Sequence, residues 1–113
     1  MLVRFKTKGI EISARKVKWW EKGLGLMFRT RKTENLLFEF PRYGFWPMHS
    51  IFVFFNFLMV WLDSKNNIVD VRMVRPFTSV IVPKKSFKKI VELPFNKRNK
   101  GVIDLLVGKQ KFK

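Results

Sequence analysis

The chain has no cysteine and only one histidine among its 113 residues. That composition excludes thiolate nucleophiles, disulfide staples, cysteine-rich zinc sites and iron–sulfur ligation. Acids are scarce as well, eight Asp and Glu in all. Glu34, Glu39, Asp63 and Asp70 lack the paired spacing that glycosidase chemistry or a carboxylate metal clamp requires, so ion pairing and turn formation are their expected roles. A membrane-length apolar run is also missing. The longest stretch, Ile51 to Leu62, contains one polar residue, Asn56, and as a helix it would reach about 18 Å, against a hydrocarbon core of roughly 30 Å. The N-terminal MLVRFKTKG is basic but has no apolar h-region and no small-residue cleavage site, so a cytoplasmic location is expected.

Positive charge and aromatics are what the chain has in excess. Twenty-four Lys and Arg against eight acids give a net charge of +16. The excess is not uniform: residues 1–32 hold ten basic and two acidic side chains, residues 84–113 again ten and two, and residues 33–83 four of each. Two basic ends therefore flank a charge-balanced, apolar centre. An excess of this size repels itself and is offset most readily by an anionic partner, nucleic acid first and an anionic membrane surface second. The competing explanation is a solvated lysine surface of the kind found in ion-pair networks, but glutamate rises with lysine in such networks and has not done so here.

The centre is Phe45 to Asp63, FWPMHSIFVFFNFLMVWLD. Its density of Phe, Val, Ile and Trp favours buried strands, and Asn56 suits a bulge or tight turn, so two strands are expected, Ile51–Phe55 and Phe57–Leu62. Before it, Leu2–Lys6 and Ile10–Ser13 form a hairpin around Gly9, and a short helix is expected over Lys16–Lys22, ended by Gly23 and Gly25. Leu36–Phe40 reads as a strand and Pro41–Gly44 as a turn. Beyond the centre, Asp63–Asn67 is a turn into the strand Ile68–Val74, where Val69, Val71 and Met73 alternate with polar neighbours. Pro76 and Pro83 bracket an extended edge or crossover. Lys84–Leu93 reads as a strand or a helical turn leading into one, stopped by Pro94. Asn96–Lys100 is a basic loop, and Val102–Val107 the last strand. The sum is a single domain over residues 1–113, mainly β: a compact small barrel or sandwich-like domain of short strands with one short helix.

The order of these elements resembles a family known as domain of unknown function 192, or uncharacterised protein family 0127. Gly25, Leu26, Met27, Phe28 and Arg29 are similar to its GLMFR signature, and Leu36, Leu37, Phe38 and Phe40 to its LLFxF strand. Met48 and His49, Val60 to Asp63, Ile68 to Asp70 with Pro76, and Val91, Glu92 and Leu93 resemble its later motifs. The resemblance implies a compact, mainly β domain with a short helix and no established activity. Two family acids are absent here: the Pro-x-Asp step of the central run is replaced by Asn56, Phe57 and Leu58, and the Gly-Asp near the C-terminus by Gly108 and Lys109. A shared site built on those acids would be lost from this chain.

Three basic segments are the candidate polyanion contacts. In the first, Arg15, Lys16 and Lys18 accompany Trp19 and Trp20, adjacent indoles that cannot both face one side of a helix; an exposed indole beside lysines suits stacking on single-stranded bases. The second is Lys84, Lys85, Lys88 and Lys89 around Phe87, with charges wrapping a strand edge. The third is Lys97, Arg98 and Lys100. An alternative small-ligand or enzymatic pocket would use Arg29, Trp46, Met48 and His49, the histidine being the one group with a pKa naturally near neutrality. A third reading is a peripheral membrane or protein-interaction module using exposed aromatics. No catalytic residue, metal site or cofactor is assigned. His49 and Ser50 are neighbours on an extended chain and point to opposite faces, so they do not form a nucleophile–base pair.

Overall fold

The apolar run that dominates the sequence ends in a strand buried on both faces. The computed structural model describes residues 2–7, 9–17, 30, 34–48, 50 and 53–107. Among them are strands β1 (Leu2–Thr7), β2 (Ile10–Lys16), β3 (Leu36–Gly44), β4 (Phe57–Leu62), β5 (Ile68–Val74) and β6 (Phe87–Pro94), and helix α1 (Lys100–Val107). The strands form one sheet in the order β1-β2-β3-β6-β4-β5. β2 and β3 are parallel and every other neighbouring pair is antiparallel. The fold is mainly β with one short helix, as expected. The sheet stays open, with β1 and β5 at its edges, so the sandwich-like alternative holds and the barrel does not.

β4 lies between β6 and β5, and all six of its residues are buried. Strands covered on both faces read as continuous apolar runs rather than alternating ones. Phe57, Met59 and Trp61 join Leu36, Phe38 and Ile90 in one cluster, closed by the loop residues Val17, Val53, Phe55 and Ile81. Leu58, Val60 and Leu62 join Ile12, Ala14, Leu37, Val91 and Leu93 in the other, closed by Ile103 and Leu106 of α1. The β1–β2 hairpin turns at Gly9 (φ 74°), a left-handed conformation that glycine adopts without a Cβ clash. The β4–β5 turn is built by Asp63, whose Oδ1 accepts from the amides of Lys65 and Asn67, each at 2.8 Å.

Five expectations are corrected. Val102–Val107 is helical, because its buried Ile103 and Leu106 repeat at three residues, one turn of helix, and not at two. Pro41–Gly44 continues β3, with a register shift between Glu39 and Gly44 that accommodates the proline. The described part of Ile51–Phe55, residues 53–55, forms no strand; it is loop, with Val53 and Phe55 packed into the core and Phe54 exposed. Lys84–Leu93 does not wrap an edge, since β6 is a central strand between β3 and β4. Lys16 closes β2 instead of opening a helix; the rest of the expected helix, with Gly23 and Gly25, lies outside the described residues.

Candidate functional site

Register decides which basic residues meet. Leu62 of β4 faces both Lys89 of β6 and Ile68 of β5, so the start of β6 and the β4–β5 turn share one end of the sheet. Lys16 reaches there from β2, its Nζ 2.9 Å from Glu39 Oε1. Glu39 pairs directly with Lys89, whose Nζ donates to Asn66 Oδ1 at 2.9 Å. Lys88 donates to the Phe40 carbonyl where the register shift disturbs the ladder. The Glu39 carboxyl is held below its ordinary range, first by the hydrogen bond from Lys16 and then by the charges of Lys16, Lys89 and Lys88, with partial burial acting in the opposite sense. Lys84 and Lys85 are exposed just before β6, and the Lys84 amide donates to Asp70 Oδ2 at 3.0 Å. Lys65, exposed in the β4–β5 turn, belongs to the same end. The sequence reading missed it because an isolated lysine in a turn carries no local signal.

The third basic segment goes elsewhere. Lys97, Arg98 and Lys100 follow the far end of β6, which at the usual rise per residue is roughly 23 Å from its start. Arg15 is engaged by Glu34, Nε to Oε1 2.6 Å, on that same side. Lys18, Trp19 and Trp20 lie outside the described residues, as do Arg29 and His49 of the alternative pocket.

The described members of that pocket serve the fold. Trp46 stacks on Phe40, with centroids 5.9 Å apart and planes 9° from parallel, and its Nε1 donates to the Arg42 carbonyl at 3.2 Å. Met48 exchanges both backbone hydrogen bonds with Ile81. Ser50 is buried, and its hydroxyl donates to the Arg75 carbonyl and accepts from the Thr78 amide, each at 2.6 Å. Both hydroxyl functions are thereby committed to the loop between β5 and β6.

Two features were not legible in the sequence. Glu92 sits on β6 between Leu36 of β3 and Met59 of β4, on an apolar face. Burial pushes its carboxyl up to about 8, and its Oε1 has no hydrogen-bond partner among the described residues. The other is a notch in the sheet. β3 begins opposite Glu92, so β2 below Arg15 and β6 beyond Glu92 have no strand between them. Two carboxamides replace it: Asn35 Nδ2 donates to the Ser13 carbonyl at 2.9 Å, and Asn99 Nδ2 donates to Asn35 Oδ1 at 2.7 Å and to the Pro94 carbonyl at 2.8 Å. The bridge links the β2 and β6 backbones through side chains. It forms part of the wall of a cavity of about 350 Å³, with Glu11, Ser13, Glu34 and Arg98 around it.

Fold and site together define a small, basic, mainly β protein, an open six-stranded sheet with a lysine-rich end and a polar notch. A family model, DUF192 (Uncharacterized ACR), matches residues 4–104, and the chain belongs to that family. No curated protein matches the sequence at a significant level. Among solved structures, a proposed transcription regulator from Sinorhizobium meliloti 1021 has a TM-score of 0.72 at 18% identity, covering 88% of this chain and 82% of that one. A protein of unknown function from Novosphingobium aromaticivorans DSM 12444 also has a TM-score of 0.72, at 12% identity, covering 89% and 76%. Likeness at such identities concerns the fold alone. No helix among the described residues is long and apolar enough to cross a membrane.

Proposed function

We propose that the protein is a non-enzymatic binding module for a polyanion, RNA or DNA held without sequence specificity, on the lysine-rich end of its sheet. The observation that supports this reading is the positive charge gathered around Glu39 from two chain segments, Lys16 of β2 in hydrogen-bond contact with its carboxylate and Lys88 and Lys89 of β6 acting on it through their charge. An ion-pair network serving stability would match each cation with an acid, whereas here the Lys88 and Lys89 ammonium groups donate to neutral oxygens, the Phe40 carbonyl and Asn66 Oδ1. Lys84, Lys85 and Lys65 extend the positive surface beside them. Such an end follows a phosphate backbone by charge, without reading bases.

Fluorescence anisotropy of labelled single-stranded RNA and duplex DNA across a salt series tests the proposal. Log K is expected to fall linearly with log salt, with a slope of about −0.9 per duplex phosphate neutralised or −0.7 per single-strand phosphate. Replacing Lys84, Lys85, Lys88 and Lys89 by Gln flattens the slope and weakens binding, while replacing Lys97, Arg98 and Lys100 by Gln changes neither. Absence of binding near physiological salt, or equal loss from both sets, would overturn it.

One observation favours the protein-interaction reading as a second possibility. Phe54 and Phe77 are both more than half exposed and meet edge-to-face, centroids 5.3 Å apart. Phe77 is held at φ 61° beside the Ser50 latch, in a conformation that bulky residues rarely adopt. Aromatics kept outward in this way suit a protein contact, and sedimentation of the wild type against a Phe54→Ser/Phe77→Ser variant would detect self-association through them.

A further inference from the structure

The notch between β2 and β6 is a built cavity in which buried polar atoms, opposite charges and apolar wall are all present. Asn99 is 3% exposed and lines it. Its Nδ2 is committed to Asn35 Oδ1 and the Pro94 carbonyl. What it has left to offer is Oδ1, an acceptor that meets no protein donor among the described residues. Glu11 of β2 and Arg98, just before α1, both line the cavity and carry opposite charges, and Glu34, also in the lining, is already paired with Arg15. Ile12, Leu93 and Val102 supply apolar surface. The set is dipolar overall, so neither a bare cation nor a bare anion matches it. A cavity of about 350 Å³ is at the lower end of the range for small-molecule sites.

From this geometry we infer that the notch binds a small zwitterion, an α-amino acid with an aliphatic side chain. Its ammonium group donates to Asn99 Oδ1 and faces Glu11, its carboxylate takes the guanidinium of Arg98, and its side chain lies on Ile12, Leu93 and Val102. An arginine has five N–H donors, so Arg98 can receive a carboxylate alongside another contact. The ammonium has three, enough for Asn99 and a carboxylate together. This site is independent of the lysine-rich end, which lies at the other end of β6.

Heteronuclear NMR of the full chain, following the side-chain amide resonances of Asn35 and Asn99, tests the inference with three probes. L-leucine carries both charges, 4-methylpentanoate lacks the ammonium, and 3-methylbutylamine lacks the carboxylate. Leucine is expected to shift both carboxamide resonances saturably, with each analogue binding at least about tenfold more weakly. Glu11→Gln and Arg98→Gln alter exposed side chains, leave the rest of the spectrum in place, and each weaken leucine by about the same factor. Three results would overturn the inference: no saturable shift with leucine, analogues that bind as well as leucine, or variants that bind leucine unchanged.

Discussion

At the scale of single residues, Glu92 has the largest predicted consequence. In the unfolded chain its carboxyl ionises near the ordinary value of 4.5, and in the fold near 8. Between those values the folded state holds a proton that the unfolded state has lost, so stability falls as pH rises through this window and levels off above it. Denaturant unfolding of the wild type should therefore show a loss on the order of a few kcal/mol between about pH 5 and 8. Glu92→Gln, which cannot ionise, should show a flatter profile, and equal slopes would mean that the buried carboxyl is not the source. Glu39 acts in the opposite sense, its lowered value giving stability that is present above the unfolded value and lost as acid protonates it, but it is too exposed for the effect to be large. Nothing local marks Glu92 in the sequence: VEL reads as an alternating strand with a wet face. The residue is dry because β6 is central, which depends on strand order.

At the scale of elements, the glycines divide by what surrounds them. Gly101 lies in the first turn of α1, with open space where a Cβ would go. Gly101→Ala should raise stability by roughly 0.5–1 kcal/mol, read as a higher melting temperature, because it restricts the unfolded chain and improves helix propensity. Gly44 is the reverse case. A Cβ there would sit 2.9 Å from Trp46 Nε1 and 3.1 Å from its Cε2. Gly44→Ala must displace a rigid ring from its stack on Phe40, so the melting temperature should fall. The carboxamide bridge belongs to this scale as well. Asn99→Ala leaves the Pro94 carbonyl and Asn35 Oδ1 without their donor, a loss of about 1–3 kcal/mol measurable by urea unfolding. Neither asparagine stood out in the sequence, since one ends a polar loop and the other precedes a strand. Only the early start of β2 relative to β3 gives them a common task.

For the whole molecule, charge is the governing quantity. Twenty-four cations against eight acids, with Glu34 and Glu39 already paired to Arg15 and Lys16, leave a surface that repels itself. Raising NaCl from about 50 to 500 mM shortens the screening length severalfold and should raise the melting temperature. A fall would mean that the ion pairs outweigh the repulsion. The same salt should weaken any polyanion complex, so stability and binding are expected to respond in opposite directions.

Composition and local pattern by themselves determined the mainly β class, the hairpins at Gly9 and at Asp63–Asn67, the buried Phe57–Leu62 strand and the excess of positive charge. These depend on contacts between near neighbours or on sums over the chain. Tertiary structure decided the rest. Apolar repeats at three residues and at two are hard to separate in a segment as short as Val102–Val107, and the burial of Ile103 and Leu106 together in the core cluster under the sheet goes with the helix. Tertiary structure also took β6 to the middle of the sheet, dividing its flanking basic groups between opposite ends, and left Glu92 dry. The physical reason is the same in each case: strand order and register come from burying two apolar faces at once, a condition on residues far apart in the chain.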